Sequence, residues 1–123
     1  MRRRTPDFNL VRELARDLGD VEESTTREDA FIKVRGKLLT WIPVNKSAEP
    51  GSLAVRIDLD HRAELLEADP DVYYLTDHYL NFPVVLVRLS RIHPDALKGL
   101  LRMAWSFVTA KPKKKPGVRK ARN

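Results

Sequence analysis

Between Pro94 and Ala110 the residues Leu97, Leu100, Leu101, Ala104, Trp105 and Val108 recur at offsets of 0, 3, 4, 7, 8 and 11, which traces one face of an α-helix. Met103 and Phe107 widen that face. A stripe broader than about 100° belongs to a helix that is deeply buried or carries a second contact, such as a partner subunit. Such a helix must cover an apolar surface, and the centre of the chain offers strands to make one. LAVRID alternates, with Leu53, Val55 and Ile57 on one side and Arg56 and Asp58 on the other. AFIKV and KLLTWI flank Arg35-Gly36-Lys37 and predict a β-hairpin with Gly36 at positive φ. DVYYLT and PVVLVRLS predict two more strands around a DHYLNF turn.

The remaining segments complete the order. From Asp7 to Leu18, Phe8, Val11, Ala15 and Leu18 share one helical face, and Gly19 can supply the left-handed stop. Asp20 to Asp29 is polar and acidic and predicts a loop; AEPGS predicts a turn. Asp60 is the expected N-cap of a short helix, His61 to Ala68, which Pro70 ends. Pro94 suits the first position of the last helix. The strand connections are short, so the sheet should be mostly antiparallel, with both amphipathic helices on one face. The expected fold class is α+β, a two-layer sandwich.

At 123 residues the chain has the size of one domain and can bury a stable core. It has no cysteine, which excludes disulfides, thiolate zinc sites and thiol nucleophiles and suits a reducing cytosol. No apolar run approaches a membrane span, and no apolar h-region follows Met1-Arg2-Arg3-Arg4, so a cytoplasmic location without a membrane partner is expected. The net charge of +6 is unevenly placed. Residues 1–4 hold three arginines and residues 111–123 hold seven Lys/Arg, leaving 13 against all 17 Asp/Glu in residues 5–110, a balance of −4. The expected division is a basic arm (1–6), a folded domain (7–110) and a disordered basic tail (111–123), whose prolines and charge oppose packing.

Three groups of residues invite a chemical reading. Asp77-His78-Tyr79 juxtaposes an acid, an imidazole and a phenol. Neighbours on an extended chain point apart, however, and Asp near a hairpin turn caps local backbone. A small-molecule site near His78 is the enzyme-class alternative. Asp58, Asp60 and His61 supply too few oxygens for a hard-metal site, and N-capping explains an aspartate there. The five glycines are too dispersed for a phosphate-cradling loop, and no GxSxG, HExxH or Walker pattern occurs. The expectation is therefore a protein without catalytic residues, metal or cofactor.

The sheet and the tail point elsewhere. If Leu53, Val55, Ile57, Val85, Val87 and Leu89 face the helices, then Arg56 and Arg88 face away, and with Ile32 and Val34 inward, Lys33 and Arg35 join them. One uncovered face would then set four cations beside Phe31 and one of Tyr73 or Tyr74, as phosphate contact and base stacking require. The same residues also suit an open antiparallel face whose Lys/Arg pair with acids. In the tail, Lys113, Lys114, Lys115, Arg119, Lys120 and Arg122, with Lys111, would attract polyanions without reading sequence.

AFIKVRGKLL, LAVRIDLDHRAELLEADPDVYYLTDHYLNFPVVLVRL and HPDALKGLLRMAWSFV, in this order, resemble the MmcQ/YjbR-like family over roughly residues 7–110. The resemblance implies a frataxin-like (CyaY-like) α+β fold. It also implies DNA binding, by analogy of part of the sheet with a double-wing domain, and it supplies no catalytic residues. Frataxins carry acids on and after their first helix, as Asp17, Asp20, Glu22, Glu23, Glu28 and Asp29 do here; a solvated loop accounts for these without iron. The function expected is largely sequence-independent contact with DNA, and with RNA as a further partner. Arg2, Arg3, Arg4 and the tail would anchor it, and Lys33, Arg35, Arg56 and Arg88 would position the duplex. The main alternative is a protein-interaction module, a homodimer through Met103 and Phe107.

Overall fold

The computed structural model describes residues 6–24 and 30–110. Helix α1 (Phe8–Arg16) starts where the Asp7 carboxylate accepts from the Leu10 amide at 2.9 Å, and the turn after it reaches Gly19 at φ +91°. Strand β1 (Val21–Glu23) lies where a loop was expected. Positive φ at Gly19 and at Asp20 turns the chain back, and Val21 then sits opposite Val34. One apolar residue pays for the added strand among acids.

Strands β2 (Phe31–Val34) and β3 (Lys37–Trp41) form the expected hairpin, with a tighter turn than predicted. Val34 pairs directly with Lys37, leaving Arg35 (φ +51°) and Gly36 (φ +81°) as the loop. Two positive φ values in a two-residue loop define a type I′ turn, whose twist matches that of the strands. Register then slips between Ile32 and Lys33. Leu39 is the extra residue of this bulge, and it is buried on the helix side together with Thr40. The Thr40 hydroxyl donates to the Ala54 carbonyl at 2.7 Å, which makes a buried polar side chain tolerable.

Strand β4 (Ser52–Arg56) leads into α2 (Leu59–Ala68). The N-cap is Asp58, not Asp60: its carboxylate accepts from the His61 amide at 2.8 Å, which moves the helix start two residues earlier. Strand β5 is only Tyr73–Tyr74, because the chain bends at 75–83 through a 3₁₀ turn, Asp77–Tyr79, before β6 (Val84–Arg88). Helix α3 (Pro94–Thr109) opens with His93, whose Nδ1 accepts from the Asp95 amide.

All neighbours in the sheet are antiparallel, in the order β1-β2-β3-β4-β6-β5. The main core joins Ile32, Val34, Leu53, Val55, Val85 and Val87 to Val11 and Ala15 of α1 and to Leu97, Leu100, Leu101 and Ala104 of α3. This is the expected α+β sandwich. The second sheet face is not open, however. Ala54, Tyr79, Val84 and Leu86 form a second buried cluster with Trp41, Ala48, Tyr74 and Leu75 around it. The connections 42–51 and 75–83 cover that part of the sheet.

Candidate functional site

The four sheet cations do not form one surface. Arg56 and Arg88 do face away from the helices: they pair with Val84 and Ser52, on the side of the second cluster. Lys33 lies over the Phe31 ring at 5.4 Å, and Glu22 is its cross-strand neighbour. Arg35 is displaced. The I′ turn rotates it out of the strand register, and its guanidinium meets Asp20 at 2.9 Å and stands 5.7 Å above Trp105 of α3. It therefore belongs to the helix side of the hairpin end.

Arg88 is occupied internally. Its guanidinium makes two bonds to the Glu49 carboxylate, 2.9 and 2.8 Å, donates to the Pro70 and Asp71 carbonyls, and lies 4.3 Å over Tyr74. These bonds hold the Glu49 carboxyl below its ordinary range and push the Arg88 guanidinium further up. Tyr74 in turn accepts from the Glu49 amide and shares a hydrogen bond with Ser52. The planar fork of Arg88 thus clamps the 42–51 connection to β5, a fixed structural task. Of the four cations expected on one basic sheet face, Arg35 and Arg88 are therefore paired with Asp20 and Glu49. The segments Arg2–Arg4 and Lys113, Lys114, Lys115, Arg119, Lys120 and Arg122 lie outside the described residues.

Arg56 behaves differently. Among the described residues its enclosed Nε has no hydrogen-bond partner, and the guanidinium is in no ion pair. It lines a recess of about 360 Å³ together with Trp41, His78, Tyr79, Phe82, Pro83 and Val84. Trp41 comes from the end of β3, Arg56 from the end of β4, Val84 from the start of β6, and the rest from the connection before it. Arg62 holds that connection in place. Its buried guanidinium donates to the carbonyls of Phe82 at 2.7 Å, Leu80 at 3.1 Å and Val84 at 3.2 Å. Sequence reasoning gave Arg62 no role, because an arginine in HRAELLEA looks like an exposed helix residue.

The chemistry of His78 follows from its neighbours. The Asn45 Oδ1 accepts from the Ser47 amide at 2.9 Å, so its Nδ2 is the group that faces His78 Nδ1 at 3.2 Å. An amide donor there makes Nδ1 the acceptor, so neutral His78 carries its proton on Nε2. The partner of the imidazole is an amide and not Asp77, while Tyr79 meets it edge-on with ring centroids 4.7 Å apart. The three neighbours in sequence do not become an acid–imidazole–phenol relay. What they build is a wall: two aromatic edges and an N–H donor. Among the described residues, those that line the recess include a guanidinium and an imidazole and no carboxylate.

The other sequence candidates have local partners. His61 Nδ1 meets Asp58 Oδ2 at 2.6 Å, which raises the imidazole and, with the His61 amide, lowers the carboxyl. Glu23 takes a two-pronged contact from Arg16, and Asp20 is taken by Arg35, so these acids are engaged by arginines; Glu28 and Asp29 lie outside the described residues. Among the described residues no cluster of three or more His, Cys, Asp or Glu could hold a metal. Met103 and Phe107 are half-buried and border a shallow groove with Asp58, His61, Gly99, Arg102 and Ser106. No helix of the described residues is long and apolar enough to cross a membrane.

A family model described as YjbR matches residues 16–107. The chain belongs to the YjbR family. Uncharacterized proteins of Mycobacterium tuberculosis and Mycobacterium bovis are 32% identical over 107 residues, covering 76% of this chain and 83% of theirs. The crystal structure of Deinococcus radiodurans protein DR2400, with a DUF419 domain, superposes with a TM-score of 0.69 at 21% identity, over 87% of this chain and 81% of that one. The family match runs from the end of α1 into α3.

Proposed function

We propose that this YjbR-family protein is a nucleic-acid-binding module of the cytoplasm that performs no chemistry. Its fold would engage the ligand at the Trp41–Arg56–His78–Phe82 recess. The Lys/Arg-rich segments 2–4 and 111–122 would supply attraction without sequence preference. One observation carries the reading: aromatic rings, a guanidinium and an imidazole converge on a site that, among the described residues, no carboxylate lines, the combination that stacks bases and meets phosphate. Arg35 and Arg88 are committed to Asp20 and Glu49, so the face offers Arg56 and Lys33 rather than a four-cation platform.

Fluorescence anisotropy with labelled DNA across a salt series tests this. Arg56→Gln should weaken binding several-fold at fixed salt, and the triple substitution K113A, K114A and K115A should weaken it and flatten the salt dependence. An unchanged affinity for Arg56→Gln beside a large loss for the triple variant would leave a polycation attached to a domain with another task. The groove beside Met103 and Phe107, with exposed Leu59 in a neighbouring recess that Phe107 also lines, favours a second reading, a homodimer through α3. Sedimentation velocity over a wide concentration range tests it: a single monomeric species throughout contradicts it.

A further inference from the structure

We infer that the recess takes a single unpaired base with its adjoining phosphate, so that the protein prefers single-stranded to double-stranded nucleic acid. This rests on the nucleic-acid reading and adds what that ligand must look like. Trp41 and Arg56 sit at the level of the sheet, whereas His78, Tyr79 and Phe82 belong to a connection lying over it, held there by Arg62. A paired base inside a duplex is shielded by its neighbours above and below, and its edges are all that a side chain reaches. Only a base swung out of its stack can enter between rings.

Size and chemistry agree with that occupant. A volume of about 360 Å³ lies at the lower end of the range for small-ligand sites, about 300–1,000 Å³. It is suited to one flat group rather than to a duplex segment. Phe82 is 55% exposed at the rim, an aromatic surface left in water beside Pro83 and Trp41. Every base has a π-face, so stacking of this kind tolerates any sequence. The Arg56 guanidinium, which among the described residues is in no ion pair, and the His78 Nε2–H are donors. The acceptors of a base edge and of a phosphate are their natural complements.

The test compares three labelled probes with the full chain: a short single strand, the same strand in a perfect duplex, and a single strand of equal length whose bases are removed but whose phosphates remain. The single strand should bind about 10-fold more tightly than the abasic strand, the scale expected when one base is stacked, and more tightly than the duplex. Phe82→Ala, exposed enough to leave the fold intact, should remove most of that difference and leave abasic binding unchanged. Equal binding of intact and abasic strands, or a preference for the duplex, overturns the inference while the nucleic-acid reading stands. Failure of every probe to bind near physiological salt overturns both.

Discussion

The Arg62 guanidinium is buried in α2 and satisfied by the carbonyls of Leu80, Phe82 and Val84. A turn that folds back over a sheet leaves carbonyls pointing inward, and each one stranded away from water costs about 1–3 kcal/mol. Arg62→Ala should therefore lower stability by about 2–4 kcal/mol in urea denaturation, well above the cost of an exposed helix position. It should also abolish binding at the recess under conditions where the protein is still folded. His61 and Asp58 give a pH signature. The raised imidazole contributes stability that is complete below its ordinary value of 6.5 and is lost as pH rises through the raised value. The lowered carboxyl contributes above its ordinary value of 3.8 and is lost as pH falls through the depressed one. The difference in Tm between wild type and His61→Gln should accordingly be greatest in mildly acidic solution and shrink toward alkaline pH. A difference constant with pH would show that the pair contributes nothing.

At the scale of elements, alternation and helical periodicity were enough to place β2, β3, β4, β6, α1 and α3, because burial on one side writes its period into the sequence. What they could not show was which side chains are spent holding the elements together. Arg88 and Arg56 occupy equivalent outward positions in their strands, yet Glu49, distant in sequence from Arg88, takes one and leaves the other. Arg35 looked like the next outward residue after Lys33, but the I′ turn carried it to the other layer. The second cluster was invisible for a similar reason. Trp41 and Ala48 come from segments far in sequence from Tyr79 and Leu86. The turn itself is testable. Gly36 has open space around a would-be Cβ, so Gly36→Ala meets only the left-handed backbone penalty and should cost about 1 kcal/mol in chemical denaturation, with binding unchanged.

For the molecule as a whole, charge is divided along the chain. The folded body carries a net −4, while the ten Lys/Arg of residues 1–4 and 111–123 carry the positive excess. In the proposed account those cations gather a polyanion and the recess holds one base of it. If the seven in 111–123 meet phosphates of a single strand, log K should fall against log salt with a slope of about −5, at about −0.7 per phosphate. Replacing Lys113, Lys114 and Lys115 by alanine should reduce that slope by about 2, whereas Phe82→Ala should change the affinity and leave the slope alone. Equal effects of the two variants on the slope would mean that the recess acts only through charge.

The most direct measurement is amide chemical-shift mapping of the full chain titrated with a short single strand at physiological salt. The account predicts shifts concentrated at Trp41, Asn45, Arg56 and residues 76–84, saturating together with one affinity, while the amides of α3 around Met103 and Phe107 stay in place. Shifts confined to the α3 groove, or to residues outside the described domain with the recess silent, would contradict it.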